Sequence, residues 1–301
     1  MVTVAPSAVA PDTAVPSRPI PSKDGQPPKR ARSVRYHAFL IIAAGTWFLP
    51  LLWMISLALT PNDVLQTSST SLLPTALTLD NLFNVFNAGD LLRWFLNSFV
   101  VTTVTTALTV VFCAMAGYAF ARIDFPGRRA LFVVVIAGLM VPREGMFIPL
   151  FLLFSGTGQQ NTYDALILPR LAAPLGVFIM TQFFSKVPAE MEEAARIDGA
   201  TRWRIFVSIM LPLARPAMAS LAIFTFVLTW NDYLWPLVIS TKTEWFTVTT
   251  GLASLQSNFA ATTNLGDLMA RGLVGSLPLL VVFLLFQRQL IRGITLGSGE
   301  K

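Results

Sequence analysis

Charge is scarce in this sequence. Of 301 residues only 13% are Asp, Glu, Lys or Arg, about half of the roughly 25% usual in a soluble domain. That deficit excludes an ordinary water-facing surface for the whole chain. A single cysteine, Cys113, excludes a disulfide framework and a thiolate metal cluster, and a single histidine, His37, excludes a paired-histidine site or relay. No Gly-Lys dipeptide occurs, so the chain has no phosphate-binding P-loop. No nucleophile can be placed beside a base, and the chain is expected not to be an enzyme. Its basic excess falls in the segments between apolar runs, which reads as membrane topology and not as nucleic-acid binding.

Apolar length is abundant. Hydrophobic residues make up 54% of the chain and mean hydropathy is +0.62. Residues 94–121 carry no charge at all, and residues 36–59 none beyond the edge histidine. About 20 apolar residues cross the ~30 Å hydrocarbon core. Residues 130–154, 165–184, 217–240 and 268–287 are the further candidates, giving six transmembrane helices and an all-α integral membrane protein. The first run is too long for a signal-peptide core and contains Trp47 and Trp53, so it is expected to be retained. Most Lys and Arg fall on one side of this arrangement. They lie in the N-terminal tail, at Arg122, Arg128 and Arg129, in the segment around residues 186–215, and at the C-terminal end. The positive-inside rule puts both termini and the 186–212 loop in the cytoplasm.

Residues 1–35 are rich in proline, lack apolar periodicity and are expected to be a disordered basic cytoplasmic tail, with the cluster at 29–35 against anionic lipid headgroups. The six-helix domain is then 36–301. The outer loops 60–92 and 241–267 are polar and do not read as folded domains. Prolines within the spans, among them Pro142, Pro149, Pro169, Pro174, Pro236 and Pro278, predict helices kinked or broken around a pathway.

One stretch departs from the apolar pattern: Glu190, Glu192, Glu193, Arg196, Asp198, Arg202 and Arg204 fall close together between two hydrophobic runs. Pro188 suits the first position of a helix, and the three glutamates favour its positive N-terminal end. Met191, Ala194 and Ala195 form a small apolar stripe. Asp198-Gly199 predicts a left-handed helix end, and Thr201 a cap for a second helix carrying Trp203, Phe206 and Ile209 up to Leu211-Pro212. The outcome is a helix–Gly–helix elbow on the cytoplasmic surface. An ordinary amphipathic interfacial loop is the plainer alternative.

The spacing Glu193-Ala194-Ala195, three residues, Gly199, nine residues, Ile209-x-Leu211-Pro212 resembles the "EAA" signature of ABC importer permease subunits at each of its defined positions. The stretch Trp230-Asn231-Asp232-Tyr233-Leu234-Trp235-Pro236-Leu237 is similar to one in the carbohydrate branch, the maltose and glycerol-phosphate type, as are Gln287-Arg288 and Gly293-Ile294-Thr295. The ending Ser298-Gly299-Glu300-Lys301 and the long proline-rich N-terminus depart from that family. This resemblance implies a permease subunit in the bacterial cell membrane for a sugar or related small molecule. Its partners would be a second homologous permease, two copies of a cytoplasmic ATPase that bind the ATP and Mg, and an extracytoplasmic solute-binding protein. No cofactor or metal belongs to this chain. The resemblance also assigns Glu190, Glu193, Ala194, Ala195, Arg196, Asp198, Gly199, Ile209, Leu211 and Pro212 to ATPase coupling. Gly199→Asp is expected to abolish transport because a bulky charge cannot sit at the elbow.

Charges at bilayer depth are costly, about 2.5–3.5 kcal/mol each on insertion scales, and usually line a cavity or pair. Arg143 and Glu144, beside Pro142, either bond freed carbonyls at the kink or line a path with Asn231 and Asp232. Trp230 and Tyr233 supply the aromatic faces that sugars favour, although adjacent helical residues cannot all face one cavity. Arg170 and Arg271 are expected to snorkel from outer ends. A secondary transporter, a membrane enzyme or an ABC permease for a non-sugar solute are the rival readings.

Overall fold

The computed structural model describes residues 29–67, 73–74, 76–87, 90–257 and 264–297, without the side chains of residues 29–35, 256–257 and 288–297. Residues 1–28 of the expected tail and the terminal segment 298–301 lie outside the described residues. The described residues fall into two units, divided between Leu51 and Leu52. Among the described residues every regular element is helical.

In the first unit, α1 (Lys29–Ala58) starts inside the segment expected to be disordered, so the basic cluster at 29–35 is helical. Its flanks from Tyr36 to Leu51 are mostly exposed and apolar, as a lipid-facing or partner-facing span requires.

The second unit holds the end of α1 and all that follows. After two short helices, α2 (Asn62–Thr67) and α3 (Asp80–Asn87), comes α4 (Asp90–Arg122), an uninterrupted 33-residue helix with no proline. Next are α5 (Arg128–Ala137), α6 (Phe147–Gly156), α7 (Tyr163–Ile167) and α8 (Pro174–Lys186). The charged stretch forms α9 (Glu190–Ile197), α10 (Arg202–Ile205) and α11 (Leu211–Leu213), followed by α12 (Arg215–Trp230), α13 (Leu234–Ile239), α14 (Val248–Ser257) and α15 (Leu265–Gly297).

Tyr36–Ala58, Asp90–Arg122 and Leu265–Gln287 are long and apolar enough to cross a membrane, and three bent helix pairs bring the count up to six. Arg128–Met140 and Glu144–Gly156 meet at 94°, Tyr163–Arg170 and Pro174–Lys186 at 47°, and Arg202–Leu213 and Arg215–Trp230 at 73°. The first two breaks fall beside Pro142 and Pro174, as the prolines predict. The fifth run, a span over 217–240 in which Pro236 predicts a kink or break, is interrupted. It stops at Trp230 and resumes at Leu234. Pro236 has no N–H for the carbonyl of Asp232, four residues earlier, and its ring crowds that carbonyl, so the helix ends ahead of it.

The core is built around α4, which packs most extensively on α8 and α12. Gly117 permits the α4–α8 approach: a Cβ there would lie 2.5 Å from the Met180 Cβ and 2.9 Å from the Thr181 backbone nitrogen. Around this contact Val110, Cys113, Tyr118, Met180, Phe184, Ile205, Phe206, Met210 and Leu221 form one buried cluster. A second, at the opposite end of α4, gathers Trp94, Trp230, Val248 and Ala270. The polar segments within 60–92 and 241–267 are tied to the bundle. Buried Asn97 donates to the carbonyls of Glu244 and Phe246 at 2.8 and 3.0 Å, Trp94 Nε1 to Thr243 O at 2.8 Å, and Asn81 to the carbonyls of Ala58 and Thr60 at 3.0 and 2.8 Å. Of these, the bonds of Asn81 satisfy carbonyls of buried residues, Ala58 and Thr60.

Candidate functional site

The charged stretch folds as the elbow its residues predict. Helix α9 ends at Asp198, and Gly199 takes φ +78°. Ala200 N donates to Ala195 O at 2.9 Å and Gly199 N to Arg196 O at 3.0 Å, the two bonds of a Schellman helix end. The Thr201 hydroxyl accepts from Arg204 N at 3.3 Å and starts the second arm. Glu190, Glu193, Ala194, Arg196 and Asp198 are exposed, and Ala195 is half-buried. In the second arm Ile205, Phe206 and Met210 anchor the elbow in the α4–α8 cluster, Ile209 and Leu211 are half-buried, and Pro212 is exposed. The turn at 206–210 widens into a π turn, as fits a proline at 212 that offers no N–H to Ser208. Ile197 and Trp203 are 87% and 63% exposed, so the elbow presents two large apolar side chains flanked by charge. An added Cβ at Gly199 meets nothing within 4 Å. Crowding within the chain therefore does not require glycine there; the positive φ does.

Glu192, which the sequence reading did not assign to the site, is the buried one at 3% exposure. Arg122, the last residue of α4, lies 3.4 Å away through Nε, and Arg196 Nη2 bonds its other oxygen at 3.1 Å. The same Arg122 donates to the carbonyl of Phe184 at 3.0 and 2.7 Å and to that of Val187. The available signals were an i,i+4 Glu192–Arg196 pair and an arginine closing a long charge-free run.

At the helix breaks lies a cavity of about 300 Å³, at the lower edge of the size of small-molecule sites. Thr109 of α4, Arg143 and Val141 at the first break, Arg170 and residues 172–176 at the second, and Thr225 and Thr229 of α12 line it. The hydroxyls of Thr105, Thr106 and Thr109 are buried with no hydrogen-bond partner among the described residues, an unusual condition for buried polar atoms. Arg143 is exposed and lines the cavity, whereas Glu144 is exposed and starts the next turn outside it. Asp232 forms an ion pair with Arg170, their side chains 15% and 9% exposed. This corrects the expectation of a snorkelling Arg170. The pair joins the second break to the interruption at residues 231–233.

The remaining members of the aromatic stretch separate. Trp230 is buried at 2%, stacks on Phe226 and donates to Gly275 O at 3.2 Å, so it packs in the core and not against the cavity. Trp235 is also core, with Nε1 donating to Ala165 O at 2.9 Å. Asn231 caps its own helix through Val227 O at 2.9 Å, and Tyr233 is exposed beside it.

Residues 110–296 match the family model described as the binding-protein-dependent transport system inner membrane component. The arabinooligosaccharides transport system permease protein AraQ of Halalkalibacterium halodurans is 39% identical over 252 residues, covering 83% of this chain and 90% of the relative. The diacetylchitobiose uptake system permease protein NgcG of Streptomyces coelicolor is 34% identical over 87% of each chain. The trehalose transport system permease protein SugB of Mycobacterium tuberculosis is 33% identical over 89% of this chain and 98% of the relative. The fold is shared with a chain of a bacterial ABC transporter involved in the import of the acidic polysaccharide alginate, at TM-score 0.76 and 22% identity, covering 90% of this chain and 99% of that one. With the matched segment spanning the elbow and all of the cavity lining but Thr109, this chain belongs to the family of binding-protein-dependent transport system inner membrane components.

Proposed function

We propose that this chain is a permease subunit through which an ATP-driven importer passes a carbohydrate. The observation that carries the reading is the elbow from Glu190 to Pro212. It holds charged and apolar side chains in water on a rigidly capped turn, while its second arm is rooted in the bundle core. Relatives of 33–39% identity are named for arabinooligosaccharides, diacetylchitobiose and trehalose, which supports a sugar as the solute.

The elbow docks a cytoplasmic ATPase through Glu190, Glu193, Ala194, Ala195, Arg196 and Asp198, with Gly199, Ile209, Leu211 and Pro212 fixing its shape. Two copies of that ATPase bind ATP and Mg; this chain holds neither. A second, homologous permease completes the pathway, and an extracytoplasmic binding protein delivers the sugar. Both termini lie in the cytoplasm. Closure of the ATPases rocks the helices as rigid bodies around the cavity of Thr109, Arg143, Thr225 and Thr229. Glu144, Asn231, Asp232 and Tyr233 stand at the interrupted helix ends beside it. Trp230 is left out of the path because it is a core residue.

The test is purification of the tagged chain from its host in mild detergent. Co-elution of an ATPase, a second permease and a binding protein is expected, with the ATPase lost from a correctly inserted Gly199→Asp variant. A chain that elutes alone from an intact membrane preparation refutes the reading.

A further inference from the structure

We infer that Arg122 is the positioning residue that carries movement of α9 into α4, with Glu192 as its buried counter-charge; this rests on the elbow being an ATPase-docking element. Three elements end at one guanidinium. Arg122 closes α4, its donors hold the Phe184 and Val187 carbonyls at the end of α8, and its Nε faces Glu192 of α9 at 3.4 Å. The Phe184 carbonyl already accepts from Val187 N at 3.3 Å, and Arg122 adds charged donors to it and to the carbonyl of Val187 just past the end of α8. Glu192 is 3% exposed and its second oxygen is taken by Arg196. An apolar contact can slide as helices move. Parting this buried pair leaves Arg122 facing only carbonyls and Glu192 held by the exposed Arg196 alone, a costly arrangement out of water, so α9 and the end of α4 move together.

The surroundings fit a moving joint. A cleft of about 200 Å³ opens beside the pair, edged by Ala121, Asp124, Arg128, Ala189 and Glu193. Its far wall is held by a separate Arg128–Asp124 contact at 2.8 Å, so Arg122 and Glu192 do not draw on those charges. From Arg122, α4 runs without a proline to Thr109 at the cavity, about 20 Å away at 1.5 Å per residue. A shift at α9 therefore reaches the cavity wall through one rigid helix.

The test uses the complete importer in proteoliposomes, with Thr225→Cys as a reporter on a Cys113→Ser background. The rate at which a charged methanethiosulfonate added outside modifies residue 225 is measured before and after orthovanadate traps nucleotide on the ATPases. With Arg122 and Glu192 native, trapping is expected to change that rate by about tenfold, a typical coupling factor. In Arg122→Met, and in the milder Glu192→Gln, nucleotide is trapped to the same extent while the change in rate is lost. Arg122→Lys restores part of it. A full rate change in either assembled Met or Gln variant overturns the inference, as does a proportional loss of trapping and rate change, which a merely structural residue would give. If the native pair itself shows no change on trapping, the importer reading fails first, and the two failures are thereby told apart.

Discussion

Gly199 offers the sharpest separation between backbone geometry and surface chemistry. Its φ of +78° lies in the left-handed region, and nothing within 4 Å would meet an added Cβ. Replacement by Ala therefore adds no clash and acts through the backbone alone, at about 1–2 kcal/mol for a left-handed non-glycine residue. If the elbow must hold this shape to dock, that strain weakens ATPase binding by roughly 5–30-fold. Asn and Asp enter the left-handed region more readily than Ala. On backbone grounds both should then bind better than Ala. Asn is expected to do so, remaining within about threefold of the native chain. Asp differs from Asn only in charge, and on a surface that docks a partner it falls below Ala. The assay is the affinity of the detergent-solubilised chain for its purified ATPase, with each variant's insertion verified by its elution profile. An Ala variant equal to the native chain would refute the backbone argument. An Asp variant equal to Asn would refute a docked partner at this turn.

Two other changes test the packing that holds the pathway. Gly117→Ala drives a Cβ into the Met180 and Thr181 backbone and is expected to destabilise by about 1–3 kcal/mol; Gly156→Ala, with open space around it, is expected to be neutral or slightly stabilising, both read from SDS-induced unfolding. Asp232→Asn strands the Arg170 guanidinium in a mostly buried site and is expected to cost about 3–5 kcal/mol, while Arg170→Gln combined with Asp232→Asn recovers much of that. A double-mutant cycle on unfolding that shows no coupling between the two would contradict the ion pair.

The legible parts of this protein are those fixed over a few residues. The elbow was readable because a left-handed glycine, a Thr cap and clustered glutamates act within one or two turns. Helix α4 was readable because a long charge-free run has one outcome in a bilayer. Breaks beside Pro142 and Pro174 follow from the missing proline N–H. The interruption at 231–233 follows from Pro236 in the same way, although the sequence did not show that the helix would stop as far ahead of the proline as Trp230. Trp230 and Trp235 proved to be core residues: each indole N–H meets a buried carbonyl of another helix, and such pairing depends on packing that no local pattern encodes. The same holds for Arg170 with Asp232, and for Arg122 with Glu192, whose partners are 62 and 70 positions apart in sequence. Burial of Glu192 ran against its charge because the guanidinium awaiting it came from a distant span.

The measurement that bears most directly on the central claim is uptake by proteoliposomes holding the importer purified through this chain. ATP is enclosed, the binding protein is added outside, and labelled arabinotriose, diacetylchitobiose, trehalose and lactose are offered in turn. The account predicts uptake of at least one of them that needs both ATP and the binding protein and disappears with Gly199→Asp. Uptake driven by a sodium or proton gradient without ATP, or undiminished by Gly199→Asp, would contradict it.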